Sequence, residues 1–149
     1  MKKIVVLENS YLSTVTMRRA LMNALTQQGF DVYILSSGKK EFAERLKEID
    51  ATFIDIGSST VNPVEVLKYI KRLRGAIKQI KPDICLTFTP RQNIYGNFVC
   101  KTLGIPVLSN ITGTGVPFHI EGFVYWVGRR FYKQVLKNPK VVFFQNKDD

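Results

Sequence analysis

Residues 81–119 read KPDICLTFTPRQNIYGNFVCKTLGIPVLSNITGTGVPFH, two short apolar runs separated by a helical stretch and followed by a glycine-containing loop. Asp83–Phe88 and Val107–Ile111 are expected as buried strands, and Asn93–Leu103 as a helix closed by Gly104. A strand, a helix and a strand in this order make a βαβ unit, which belongs in a parallel sheet. Polar groups gather where the two strands end. Thr87, Thr89, Arg91 and Asn93 follow the first, and Asn110, Thr112, Gly113, Thr114 and Gly115 follow the second. In an open α/β sheet ligands bind along that rim.

Upstream, the same cadence repeats. Lys3–Leu7 (KIVVL) is a β-branched run, and after a loop, ENSYLST, apolar residues at helical spacing mark a helix over Val15–Gln28 with Gly29 at its end. Val32–Leu35, a helix over Glu41–Ile49 and a strand over Phe53–Ile56 come next. Asn62-Pro63 has the form of a helix start, a capping Asn before a Pro at the first helical position. On that helix Val66, Tyr69, Ile70, Leu73, Ile77 and Ile80 share one face, and six cations from Lys68 to Lys81 share the other, which base rates make a solvated face. Downstream, an aromatic helix over Glu121–Leu136 leads to a strand at Val141–Phe144. The whole is α/β: a Rossmann-like, doubly wound parallel sheet of about six strands with helices on both faces.

With 149 residues the chain fits a single domain, enough to bury about 68–70% of its unfolded surface. Cys85 and Cys100 have no metal-ligand or C-x-x-C spacing and read as small core residues of a reducing compartment; no metal site is expected. The opening MKKIVVLENS has too short an apolar run for a signal peptide or a membrane span, so a cytoplasmic chain is expected. Twenty-two Lys+Arg against twelve Asp+Glu give a formal charge of +10, a bias toward polyanionic partners. The apolar strand directly before the terminus, VVFFQNKDD, suggests a piece of a larger protein.

Several chemistries are unsupported. The first strand-to-helix loop, beginning Glu8, Asn9, Ser10, holds no glycine, so it cannot offer a dinucleotide pyrophosphate the close backbone approach it needs. Gly113-Thr114-Gly115 comes later, with Phe118 where a third glycine would stand; it is either a nest for a phosphate or a tight turn. No G-x-x-x-x-G-K-[ST], G-x-S-x-G, H-E-x-x-H or D-x-D occurs. His119 is placed to be a base or phosphate ligand, or simply a helix cap. Arg18 and Arg91 project from neighbouring rim positions and could grip one anion, or stay solvated. In the aromatic helix Trp126 falls among Arg129, Arg130 and Lys133. That mixture suits a membrane interface or contact with a second domain. No nucleic-acid-reading motif accompanies the cations, so no nucleic-acid partner is expected.

Taken together, the 81–115 stretch, TMRRALMNAL in the first helix and the closing VVFFQNKDD resemble the N-terminal domain of GT-B glycosyltransferases of family 4. The likeness is nearest to bacterial enzymes of capsular polysaccharide and O-antigen synthesis. It implies one half of a GT-B fold over residues 1–149, with a C-terminal nucleotide-sugar-binding domain or subunit facing it across a cleft. Metal-independent, retaining transfer to a lipid-linked sugar acceptor at the inner, anionic face of the membrane is implied. So is a nucleotide-sugar donor held in the other domain, with no cofactor bound by this one. The residues that the resemblance places along the acceptor cleft are Arg18, Asn93, Tyr95, Gly96 and Thr112–Gly115. It carries no catalytic histidine onto His119, and the chain alone is expected to be inactive.

Overall fold

The computed structural model describes residues 1–38, 47–58, 62–112 and 123–145. Its strands are β1 (Lys3–Leu7), β2 (Asp31–Ser36), β3 (Thr52–Asp55), β4 (Ile84–Phe88), β5 (Val107–Ile111) and β6 (Val141–Phe144). They form one sheet, all parallel, in the order β3-β2-β1-β4-β5-β6. That is the Rossmann order, so the doubly wound reading holds. The helices are α1 (Tyr11–Ser13), α2 (Arg19–Gln27), α3 (Pro63–Ile80), α4 (Pro90–Leu103) and α5 (Phe123–Val135), with a π-helical stretch, Thr14–Arg18, joining α1 to α2.

Alternation along the strands divides the core in two. Val5, Leu7, Leu35, Cys85 and Val107 turn to one face, where Tyr69, Leu73, Ile77 and Ile80 of α3 and Val99 and Cys100 of α4 close over them. Ile4, Val6, Val32, Ile34 and Phe88 turn to the other, under Met22 of α2. The expected apolar face of α3 is therefore the buried one. Asn62 caps it as expected, its Oδ1 accepting from the N–H groups of Val64 (3.0 Å) and Glu65 (3.3 Å). The helix stops at Ile80, where Lys81 turns left-handed (φ 54), one residue before Pro82.

Two boundaries near the sheet's C-terminal edge differ from the sequence reading. ENSYLST is a loop only to Ser10, whose Oγ accepts from Ser13 N–H at 3.3 Å and starts α1. The Tyr11 ring is buried edge-on against Phe53, with centroids 5.4 Å apart. It lies over Gly38, where an added Cβ would fall 1.5 Å from Tyr11 Cε2, so this corner closes because residue 38 has no side chain. α4 begins at Pro90, three residues before the expected Asn93, which places Arg91 in its first turn and not in a loop. The helix expected over Glu41–Ile49 falls largely outside the described residues, as do Gly113, Thr114, Gly115 and His119.

Candidate functional site

Strand order reverses between β1 and β4, so the crevice of this sheet lies at their C-terminal ends. Glu8 leaves β1 there almost fully buried. Its Oε1 accepts the Asn9 N–H at 2.8 Å and its Oε2 accepts Arg18 Nε–H at 3.2 Å. Arg18 is the last residue of the π-helical stretch, and its guanidinium lies 4.4 Å from the centre of the Phe88 ring, the final residue of β4. Threonine hydroxyls in this segment bond back to backbone carbonyls, Thr14 to Ser10 (3.3 Å) and Thr16 to Leu12 (2.7 Å), which favours the widened turns. The sequence showed Glu8 and Arg18 as separate rim candidates. The π-helical turns bring them together.

Thr89 follows Phe88 with φ 71 and ψ 150, a conformation costly for a residue with a branched Cβ. Its buried Oγ1 has no hydrogen-bond partner among the described residues, and the same is true of Ser36 Oγ, Asn97 Oδ1 and Asn110 Oδ1. Thr89 caps nothing with its hydroxyl, yet it stands at the N-terminus of α4. Asn9 and Arg91 are exposed at the same end of the sheet, and Ser10, Tyr95 and Thr112 are half-buried. Arg91 stands near enough to Tyr95 to favour its ionised form, against the larger effect of burial, which raises the Tyr95 pKa.

Thr87, Asn93 and Gly96 are not on the rim. Asn93 and Thr87 are fully buried and belong to a polar seam between β4, β5, α4 and α5. Thr87 Oγ1 donates to Asn93 Oδ1 (2.7 Å) and lies 2.9 Å from Ser109 Oγ. Asn93 Nδ2 lies 3.1 Å from both the Asn110 carbonyl oxygen and Tyr132 Oη. Asn97 Nδ2 donates to the Asn93 carbonyl (2.7 Å) and Ser109 Oγ (2.8 Å). Helix periodicity explains the displacement: once α4 starts at Pro90, residues 92, 93, 96, 97, 99 and 100 are the ones that turn to the sheet. Tyr132 and Ser109 join this seam with no signal in the sequence to announce it.

On α5, Trp126 is exposed, with the Arg130 guanidinium 6.0 Å from its ring; Lys133 is exposed and Arg129 half-buried. The expected mixture of Trp and cations is present on that surface. Among the described residues no helix is long and apolar enough to cross a membrane.

The glycosyl transferase 4-like family model matches residues 3–146. This chain belongs to that family. Its fold is shared with MurG of Acinetobacter baumannii, at a TM-score of 0.72 and 21% identity over 99% of this chain and 43% of that one. A glycosyltransferase from Rickettsia africae overlays at 0.68 and 22% identity, over 95% and 36%. A UDP-GlcNAc 2-epimerase of Methanocaldococcus jannaschii overlays at 0.64 and 17%, over 99% and 40%. The chain thus spans less than half the length of each, and at these identities the likeness is one of fold. Among curated proteins none matches the chain.

Proposed function

We propose that this chain is the acceptor-binding half of a retaining, metal-independent glycosyltransferase that moves a sugar from a nucleotide-sugar to a lipid-linked glycan in surface polysaccharide synthesis. The observation that carries the reading is family membership over nearly the whole chain, combined with a switch-point crevice whose polar groups make half a site. Asn9, Ser10, Thr89 and Arg91 can bind and orient a hydroxylated ligand, with Glu8 buried behind them holding Arg18. A C-terminal nucleotide-sugar domain or subunit supplies the donor from across the cleft. The exposed apolar side chains of the edge strand β6, Val141, Phe143 and Phe144, support contact with further protein. The +10 charge and the Trp126 surface of α5 support a place at the inner face of an anionic membrane.

The test is reconstitution. Joined to a family nucleotide-sugar domain, the chain is expected to transfer from a UDP-sugar to an undecaprenyl-diphosphate-linked acceptor, and to do nothing alone. Transfer by the isolated 149 residues would overturn the half-site reading. A joined protein that folds but never transfers would favour the other reading, a non-catalytic basic module or split-transferase subunit holding a phosphorylated or lipid ligand.

A further inference from the structure

We propose that Arg18, held by Glu8 and lying over the Phe88 ring in the crevice between β1 and β4, binds the anionic group of a sugar ligand, a phosphate or carboxylate carried on a pyranose. The inference rests on the acceptor-side reading above and deepens it by stating what an acceptor presents at this place.

As a source of stability, the Glu8–Arg18 pair is poor. Both side chains give up hydration, with Glu8 1% and Arg18 12% exposed, and an apolar pair of similar volume would serve the core as well or better. As a mount for a guanidinium it is effective. Glu8 holds Nε, the Phe88 ring lies against the guanidinium, and the four N–H donors on the terminal nitrogens lie outside the pair. That fork matches two oxygens of one phosphate or carboxylate.

The second observation is independent of the first. Ser36 Oγ, Thr89 Oγ1 and Asn110 Oδ1 are buried without a hydrogen-bond partner among the described residues, at the C-terminal ends of β2, β4 and β5. Ser36, which is 1% exposed, stands beside Glu8 because Leu35 pairs with Leu7. Asn110 pairs with Phe88, and Thr89 follows it. Buried polar atoms nearly always have partners. A bare anion would satisfy Arg18 but brings at most one or two hydroxyls and no sugar ring to the orphan oxygens, and a neutral sugar would serve the oxygens but leave the guanidinium fork unused. An anionic sugar supplies both.

The experiment titrates glucose 1-phosphate, glucuronic acid, inorganic phosphate and glucose separately into the isotope-labelled chain, following backbone NMR shifts. One of the two anionic sugars is expected to saturate, with shifts centred on Asn9, Arg18 and Thr89. Whichever binds tighter assigns the charge to phosphate or carboxylate. Inorganic phosphate and glucose are expected to bind at least about tenfold more weakly, since the first lacks the ring with its hydroxyls and the second lacks the charge. Arg18→Gln is expected to lose about tenfold or more, and Arg18→Lys to fall between. If Arg18→Gln does not fold, the double variant Glu8→Gln/Arg18→Gln leaves no unpaired buried carboxylate and is expected to lose binding equally. Absence of saturable binding by either anionic sugar overturns the proposal. So does affinity that survives in either Gln variant, or inorganic phosphate binding as tightly as the sugars. In the joined protein, transfer unaffected by Arg18→Lys, with acceptor KM unchanged, would sink this inference and leave the transferase reading standing. Anionic-sugar binding through Arg18 without any transfer would do the reverse.

Discussion

Gly96 is the point where α4 and the sheet come closest. A Cβ there would lie 2.6 Å from Leu7 Cδ1 and 2.6 Å from Thr87 Cγ2. The leucine tip can swing aside. The threonine is held by its bonds to Asn93 and Ser109, so it cannot turn without breaking the seam. Helix propensity alone would make Gly96→Ala stabilising by about 1 kcal/mol. Overpacking of the fixed neighbour outweighs it, and a net loss of about 1–3 kcal/mol is expected, read from the urea midpoint. A midpoint unchanged or raised would mean the seam yields. Periodicity placed Gly96 in the right helix, and the resemblance placed it along the cleft; the structure turns it to the sheet, against Leu7 and Thr87. Cys85 illustrates the opposite case: it reads as a core residue and is one, its thiol pKa pushed well up by the bond with Cys100 and by burial.

At the level of the element, α3 and α5 carry the basic character differently. The cations of α3 are partly engaged: Arg72 Nε donates to the Ile56 carbonyl (2.9 Å), Lys68 pairs with Glu65 (2.8 Å), and Arg74 bonds Thr102. On α5, Arg130 and Lys133 are exposed beside Trp126. The chain is expected to float with anionic vesicles at low salt and to release as salt rises. Arg130→Gln with Lys133→Gln removes about 2 kcal/mol of attraction, a loss of roughly 30-fold in partitioning. Failure of the unmodified chain to float at low salt would remove the membrane from the proposed function. The identities of α2, α3, α4 and α5 were readable from periodicity, while α1 was read as loop. The π-helical Thr14–Arg18 was not, because its cause is a set of hydroxyl-to-backbone bonds that leave no period in the sequence.

Across the whole molecule, the seam is anchored to α3 through Tyr69. Its hydroxyl donates to Gln92 Oε1 at 2.7 Å, and burial pushes its pKa up to about 12. Below about pH 10 both folded and unfolded chains keep this proton, and the contribution to stability is complete. Above it the unfolded tyrosine ionises while the folded one does not. The unfolded state then binds fewer protons, and stability falls as pH rises toward about 12, by roughly 2–3 kcal/mol for this residue. Urea unfolding between about pH 9 and 11.5 is expected to show the decline, and Tyr69→Phe to flatten it. An identical slope in the variant would assign the loss elsewhere.

The sequence by itself determined the alternation of strands and helices, which faces of α3 and of the strands are buried, the Asn62 cap and the family. The family was legible through the resemblance of particular stretches; the others follow from periods of two and 3.6 residues and from local capping chemistry, which any stretch of chain carries within itself. Tertiary structure alone decided the strand order, and with it the crevice between β1 and β4. It also decided that Glu8 and Arg18 form one unit on Phe88 while Thr87 and Asn93 go inside. Those outcomes depend on which segments lie side by side, on where a helix starts by a few residues and on the cost of burying a charge without its partner, and none of the three is written in local spacing.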